Sequence, residues 1–193
     1  MSRQKQELEK VLIDSAKKII FQHGLSGLSA RAVAAASGCS VGTLYNYFRN
    51  MDDLIIRINA GTLLALKEAL LVVSHSAPID KTLGKVITKR YLGFVKENQA
   101  YWNLIYDYKL PKGQELPEWY QKLVDDIFNI MQEALKPLLS NDPIAAYRAT
   151  RVLWAGFHGI FMLEITGKLN IAHKESSEDL CESLFDNYLR GWR

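Results

Sequence analysis

The spacing of apolar residues is what most restricts this chain. They recur at steps of three and four almost from end to end, whereas period-two alternation bounded by turn residues is hard to find. Steps of three and four place side chains on one face of an α-helix, so the expected fold is all-α. Over residues 3–23 the stripe is Leu8, Leu12, Ala16, Ile19 and Ile20, with Lys5, Lys10, Lys17 and Lys18 on the polar side and a Gly-Leu-Ser-Gly stop at 24–27. A second helix starts at Ser29, whose hydroxyl suits a cap, with Leu28 and Val33 placed to close a staple. It ends near Ser37, with Gly38 as a left-handed cap. Ser40 caps a third helix running through Phe48. Asn50 caps a long fourth one to about Val73, with Asp52 and Asp53 at its positive end. Breaks rich in Pro, Gly, Ser, Asn or Asp separate further helices expected at 81–97, 99–108, 117–138, 143–165 and 177–189. No internal repeat or low-complexity segment interrupts the pattern.

With 193 residues, 48% of them apolar and 23% charged, the chain has room for one ordinary domain and a small one. Its net charge of +3 is unevenly spread: residues 1–50 hold seven Lys or Arg against three acids, and the remainder is slightly acidic. A basic N-terminal quarter suits a polyanion, either nucleic acid or an anionic membrane. Membrane association is not expected, because the basic first helix has no Trp on its apolar stripe and the longest nearly uncharged stretch, 152–163, is too short to span a bilayer. Cys39 and Cys181 form no CxxC pair, and the charged N-terminus lacks a signal-peptide core, so the expected compartment is the cytoplasm. His23, His75, His158 and His173 are scattered, so no metal site is expected. With no phosphate loop, no dinucleotide-binding glycine pattern and no nucleophile elbow, neither cofactor nor enzymatic activity is expected. Glu97, Asp107, Asp125, Asp126 and Glu164 fit solvated helix faces.

The stretch LSARAVAAASGCSVGTLYNYFRNMDDL at 28–54 reads as two short helices joined by a tight turn, with Ala32, Ala34, Ala35 and Ala36 small enough for a close crossing. Leu44 and Phe48 are four apart and point inward together, which leaves Gly42, Thr43 and Asn46 outward, flanked by Tyr45 and Tyr47. That face offers hydroxyls and an amide for phosphates and base edges, a glycine for close backbone approach, and no long acid. Val41 is placed for a thymine methyl, and the helix amino terminus for a phosphate.

Residues 8–55 resemble the DNA-binding domain of the TetR family of transcriptional regulators, above all through Ser-x-Gly-Thr-Leu-Tyr-x-Tyr-Phe at 40–48 and the spacing of Ala34, Gly38 and Leu54 around it. The resemblance implies that Ser29 and Arg31 touch the DNA backbone, that Gly42, Thr43 and Tyr47 hold phosphates, and that Val41, Tyr45 and Asn46 face bases, with Ser40 at the helix start. One position departs from the pattern. Many members carry Lys soon after the Phe, where this chain has Met51, so either Arg49 substitutes or the contact is missing.

In the second half, Trp154-x-x-x-His158-Gly159 resembles the Trp-His-Gly signature of one C-terminal subclass of the family. The resemblance implies a homodimer through the last two helices, with Ala155, Gly156 and Gly159 compatible with close approach. Each residue of the dense aromatic set suits core packing on its own, but together they suit the lining of an apolar ligand site: Trp102, Tyr106, Trp119, Trp154, Phe157, His158 and Phe161 are its candidates. The expected architecture is thus a helix-turn-helix domain at 1–50 and a helical ligand-binding and dimerisation domain at 51–193. The expected function is a repressor bound to a double-stranded DNA operator and released by a small apolar or aromatic effector. Two alternatives stay open: a ligand-independent DNA-binding regulator controlled by a protein partner, and an all-α enzyme with an incidental helix hairpin.

Overall fold

The computed structural model describes residues 3–76, 82–169 and 175–191, and all the regular structure in them is helical. The elements are α1 (Arg3–His23), a 3-10 turn (Leu25–Gly27), α2 (Ala30–Ser37), α3 (Val41–Tyr45), α4 (Met51–Ser76), α5 (Thr82–Glu97), α6 (Gln99–Asp107), α7 (Glu118–Leu135), a second 3-10 turn (Lys136–Leu139), α8 (Pro143–Ile165) and α9 (Ser177–Arg190). Among the described residues no helix is long and apolar enough to cross a membrane.

Helix starts fall where capping side chains dictate. The Ser29 hydroxyl accepts from the Ala32 amide at 3.2 Å, the Ser40 hydroxyl from Thr43 at 3.0 Å, and the Asn50 side chain from Asp53 at 2.8 Å. Asp142 caps α8 from in front of Pro143, whose missing N–H costs nothing in a first turn. Helix ends follow the expectations less closely. α3 stops at Tyr45 instead of running through Phe48, because its last turn tightens: the Leu44 carbonyl accepts from both Tyr47 (3.0 Å) and Phe48 (3.1 Å). α4 runs past Val73 to Ser76, since no Gly or Pro interrupts it between Gly61 and Pro78. α7 ends at Leu135 instead of 138, where Pro137 forces a 3-10 turn that Ser140 (φ 55°) and Asn141 (φ 59°) complete in the left-handed region. The start expected at 81 and the interiors of the breaks at 74–80 and 166–177 lie partly outside the described residues.

The chain divides into two compact units. The first, here called the head, holds residues 1–64 and 98–121. Its core joins Leu12, Ala16, Ile19 and Ile20 of α1 to Val33 of α2, Leu44 and Phe48 around α3, Leu54, Ile55 and Ile58 of α4, and Leu104 of α6. The α1 positions form the stripe read from the sequence. Leu104 comes from a helix far along the chain, and polar bonds fix that helix in place: the Tyr108 hydroxyl donates to Asp52 at 2.6 Å, the Tyr101 hydroxyl to the Lys17 carbonyl at 3.4 Å, and the Lys17 ammonium lies 4.7 Å from the centre of the Tyr101 ring.

The second unit holds residues 65–97 and 122–193. α8 is its apolar spine, burying Ala145, Ala146, Ala149, Thr150, Leu153, Phe157 and Phe161. Glycine allows the closest helix approaches here: a Cβ on Gly84 of α5 would strike the Phe185 ring of α9, and one on Gly156 would strike Leu184. Lys96 bridges Glu164 (3.3 Å) and Glu178 (3.5 Å), and Lys67 meets Asp126 at 2.8 Å.

Candidate nucleic-acid interface

The helix-turn-helix geometry is built by local chemistry. α2 ends in Gly38 at φ 69°, a left-handed backbone that costs a glycine nothing, and Cys39 then returns its amide to the Ala34 carbonyl at 2.9 Å. Ser40 restarts the chain as the cap of α3. Leu44 is 0% exposed and Phe48 1% exposed, so the short helix is anchored from beneath by both. The opposite side is open: Gly42, Tyr45, Asn46 and Arg49 are exposed, with Tyr45 at 45%, and Val41, Thr43 and Tyr47 are half-buried. Ser29, Arg31 and Ser40 are exposed as well. The structure therefore leaves accessible every residue singled out for DNA contact.

The polar atoms of this face have limited freedom, which sets what they can offer. Ser40 Oγ lies 2.9 Å from Thr43 Oγ1 while also accepting the Thr43 amide. One hydroxyl donates to the other, so the pair presents a single outward O–H, enough for one phosphate oxygen. The nearby acids are held in hydrogen bonds, with one guanidinium, that of Arg57, shared between two of them. Asp53 accepts from the Arg49 amide (3.0 Å) and from Arg57 Nε (3.1 Å), Arg57 Nη1 also reaches Glu9 (3.0 Å), and Asp52 accepts the Tyr108 hydroxyl. Burial, together with that bond to Asp52, pushes the Tyr108 phenol well above its ordinary pKa, so it remains a donor at neutral pH. The Tyr101 phenol is also raised, by burial first and by Asp14 second.

Cations flank the reading face. Arg31 and Arg49 are exposed and make no ion pair among the described residues, and the Lys5 ammonium sits 5.8 Å from the centre of the Tyr47 ring. Met51 packs half-buried against the head core, and its thioether has no charge to offer a phosphate. Of these cations, Arg49 was legible in the sequence as a neighbour of the Met51 position. Lys5 was not, because only the fold brings the first turn of α1 to α3.

The aromatic candidates for a ligand site do not all fall in one unit. Trp102, Tyr106 and Trp119 belong to the head, where Trp102 is buried with its ring 5.5 Å from that of Tyr106. Trp154, Phe157, His158 and Phe161 lie on α8 in the second unit. There Phe157 and Phe161 are core, Phe157 meets Tyr91 at 6.0 Å, and Trp154 stacks on His158 at 6.3 Å and 18°. Burial lowers the His158 pKa, which keeps its ring neutral at neutral pH.

Comparison with known proteins agrees with this geometry. A family model described as bacterial regulatory proteins, tetR family, matches residues 12–58, and one described as tetracyclin repressor-like, C-terminal domain, matches residues 86–188. No curated protein matches the sequence significantly. Among solved structures, a protein of unknown function from Rhodococcus sp. RHA1 is 21% identical and superposes with a TM-score of 0.77 over 95% of this chain and 94% of its own. The TetR-family transcriptional regulator PfmR from Thermus thermophilus is 16% identical, with a TM-score of 0.63 over 93% of this chain and 97% of its own. The multidrug binding protein EbrR, solved with imidazole, is 19% identical, with a TM-score of 0.62 over 93% of each chain. At these identities the structural likeness concerns the fold.

Proposed function

This chain belongs to the TetR family of bacterial regulatory proteins and is a DNA-binding transcriptional regulator; from that premise we propose that it is a cytoplasmic homodimeric repressor, released from its operator by a small, largely apolar or aromatic effector. The observation that carries the proposal is the two-sided character of the segment at 41–49, where Leu44 and Phe48 are sealed in the core while Tyr45, Asn46 and Arg49 are exposed. Two such faces in a dimer read half-sites about 34–36 Å apart. Val41, Tyr45 and Asn46 are assigned to base edges, and Ser29, Arg31, Ser40, Gly42, Thr43, Tyr47 and Arg49 to the backbone.

The dimer contact is assigned to α8 and α9. Along α8 the outward residues Val152, Ala155, Gly159 and Leu163 form an exposed stripe of apolar and small side chains, whereas Gly156 is already used against Leu184 within the chain. The effector is assigned to the aromatic side of α8, at Trp154 and His158, with Phe157 and Phe161 buried in the core of the same helix. The similar EbrR, a multidrug binding protein solved with imidazole, supports a small-molecule site in this fold. Trp102, Tyr106 and Trp119 are assigned to the head, where Trp102 is sealed in the interior. Operator contacts thus come from residues 1–50, and effector and dimer contacts from 51–193. No turnover is assigned to the protein.

Release follows if the effector favours a state whose reading faces no longer match the operator, which requires different affinities for the two states. The test is to select genomic fragments bound by the purified protein, then to add a lipophilic library while following tryptophan fluorescence and DNA release. Bound palindromic fragments displaced by a library member are the expected outcome. Fragments that no compound displaces would leave regulation to a protein partner, and an absence of bound fragments would remove the repressor reading.

A further inference from the structure

Arg151 of α8 stands out because its charge has no counterpart among the described residues. Its guanidinium carbon lies 3.8 Å from the centre of the Tyr147 ring, one turn earlier on α8, and 4.7 Å from that of Phe128 on α7. The side chain is half-buried, and its Nη1 is sealed from solvent without a hydrogen-bond partner. Among the described residues Arg151 makes no ion pair. α8 holds no acid before Glu164, which is engaged by Lys96, and on α7 Asp126 is taken by Lys67 and Glu133 by Lys136. Asp125, three residues before Phe128, is exposed and is not paired with it.

Two aromatic rings satisfy the faces of a guanidinium but not the N–H edge, which still calls for acceptors in its plane. Nη1 is sealed, so an acceptor arriving from solvent meets the remaining N–H groups of this half-buried side chain, and a carboxylate is the acceptor whose geometry matches a guanidinium. Aromatic surface next to Arg151 on α8 stays partly exposed among the described residues. Tyr147 is 49% exposed, and Trp154, three residues after Arg151, is 38% exposed with its ring edge-on to Phe128 at 5.5 Å. Tyr147, Arg151, Trp154 and His158 follow one another along one side of α8, so the charge and the ring surfaces form a single strip.

We propose that Arg151 is the anion-reading group of the effector site, so that the effector is an organic carboxylate whose acid group pairs with this guanidinium while its apolar, ring-compatible body lies along Trp154. This assignment rests on the effector reading given above and narrows it from apolar molecules in general to apolar acids.

The test uses the full-length protein and two probes of equal ring size, naphthalene-2-carboxylate and the neutral naphthalene-2-methanol, titrated by calorimetry. The wild type is expected to bind the carboxylate about 10- to 100-fold more tightly than the alcohol, the range of a charge-assisted hydrogen bond. Arg151→Gln is expected to bring the carboxylate to the level of the alcohol and leave the alcohol unchanged. Arg151→Lys, which keeps the charge without the planar fork, is expected to keep only part of the preference, and it carries the test if the Gln variant melts early by circular dichroism. Equal binding of the two probes to wild type, or a full preference surviving in either variant, overturns the inference and leaves the effector reading standing. Binding of neither probe overturns the inference too. If, in addition, no library compound releases DNA, the effector reading falls with it. Loss of dimer in Arg151→Gln with an unchanged preference would assign the counter-ion to a second copy of the chain, and overturns it equally.

Discussion

Leu104→Ala tests the least expected feature of the head, its dependence on a helix that lies far beyond α4 in the chain. Leu104 is buried in the cluster with Ile19, Ile20, Ile55 and Ile58, and the truncation removes three carbon atoms. At ~0.8 kcal/mol per carbon the lost transfer free energy is about 2.4 kcal/mol. The cavity left among α1, α4 and α6 adds to this, for a total of about 3–4 kcal/mol, inside the range for buried leucines. Hydrogen exchange at a fixed protomer concentration reads the effect site by site, since dimer stability otherwise moves with concentration. The amides of Ile19, Ile20, Ile55 and Ile58 should exchange about 100-fold faster or more in the variant. Leu64→Ala, which truncates an exposed side chain, should stay within about 0.5 kcal/mol. If those four amides keep wild-type protection while amides of α5 or α9 lose theirs, Leu104 contributes to the other unit and the core described here is wrong.

Three further expectations follow from single contacts. Ser40→Ala removes the cap of the five-residue α3 and should cost about 0.5–2 kcal/mol in urea unfolding, with a matching loss of operator affinity. No loss in either measurement would mean that the helix holds without its cap. Met51→Lys restores a cation at the position where the family pattern has one and should steepen the salt dependence of log K by about 0.9; an unchanged slope would show that Arg49 or Lys5 already fills the contact. Burial pushes the Cys181 thiol up to about 12, so in the native protein it should stay unreactive towards a thiol reagent at pH 8 and react only on unfolding.

What the sequence discloses here depends on how local the physics is. The starts of α2, α3, α4 and α8 were readable because Ser29, Ser40, Asn50 and Asp142 each bond an amide two or three residues away. Ends were harder, because they depend on competition. Pro137 outweighs the apolar pattern that continues to Leu138, and α3 yields its last turn as Phe48 enters the core. The reading face was legible for the same local reason: Leu44 and Phe48 at a spacing of four fix which side points out. Which unit a helix joins was not legible. α6 and α8 carry the same kinds of aromatic residue, and periodicity tells which side of each is buried but not against what, so nothing in it marks Leu104, Tyr101 and Tyr108 as parts of the head. That Arg151 has no ion pair among the described residues was equally invisible, since a missing partner is a property of three dimensions.

The account's central claim is that the outward side of α3 holds DNA. Fluorescence anisotropy on a duplex selected from the source genome, at matched salt, measures it directly for wild type, Tyr45→Ala and Tyr47→Ala. Each variant should lose about 1–3 kcal/mol, or about 5- to 150-fold in affinity, with unchanged circular dichroism. Wild-type affinity in both variants would contradict the claim.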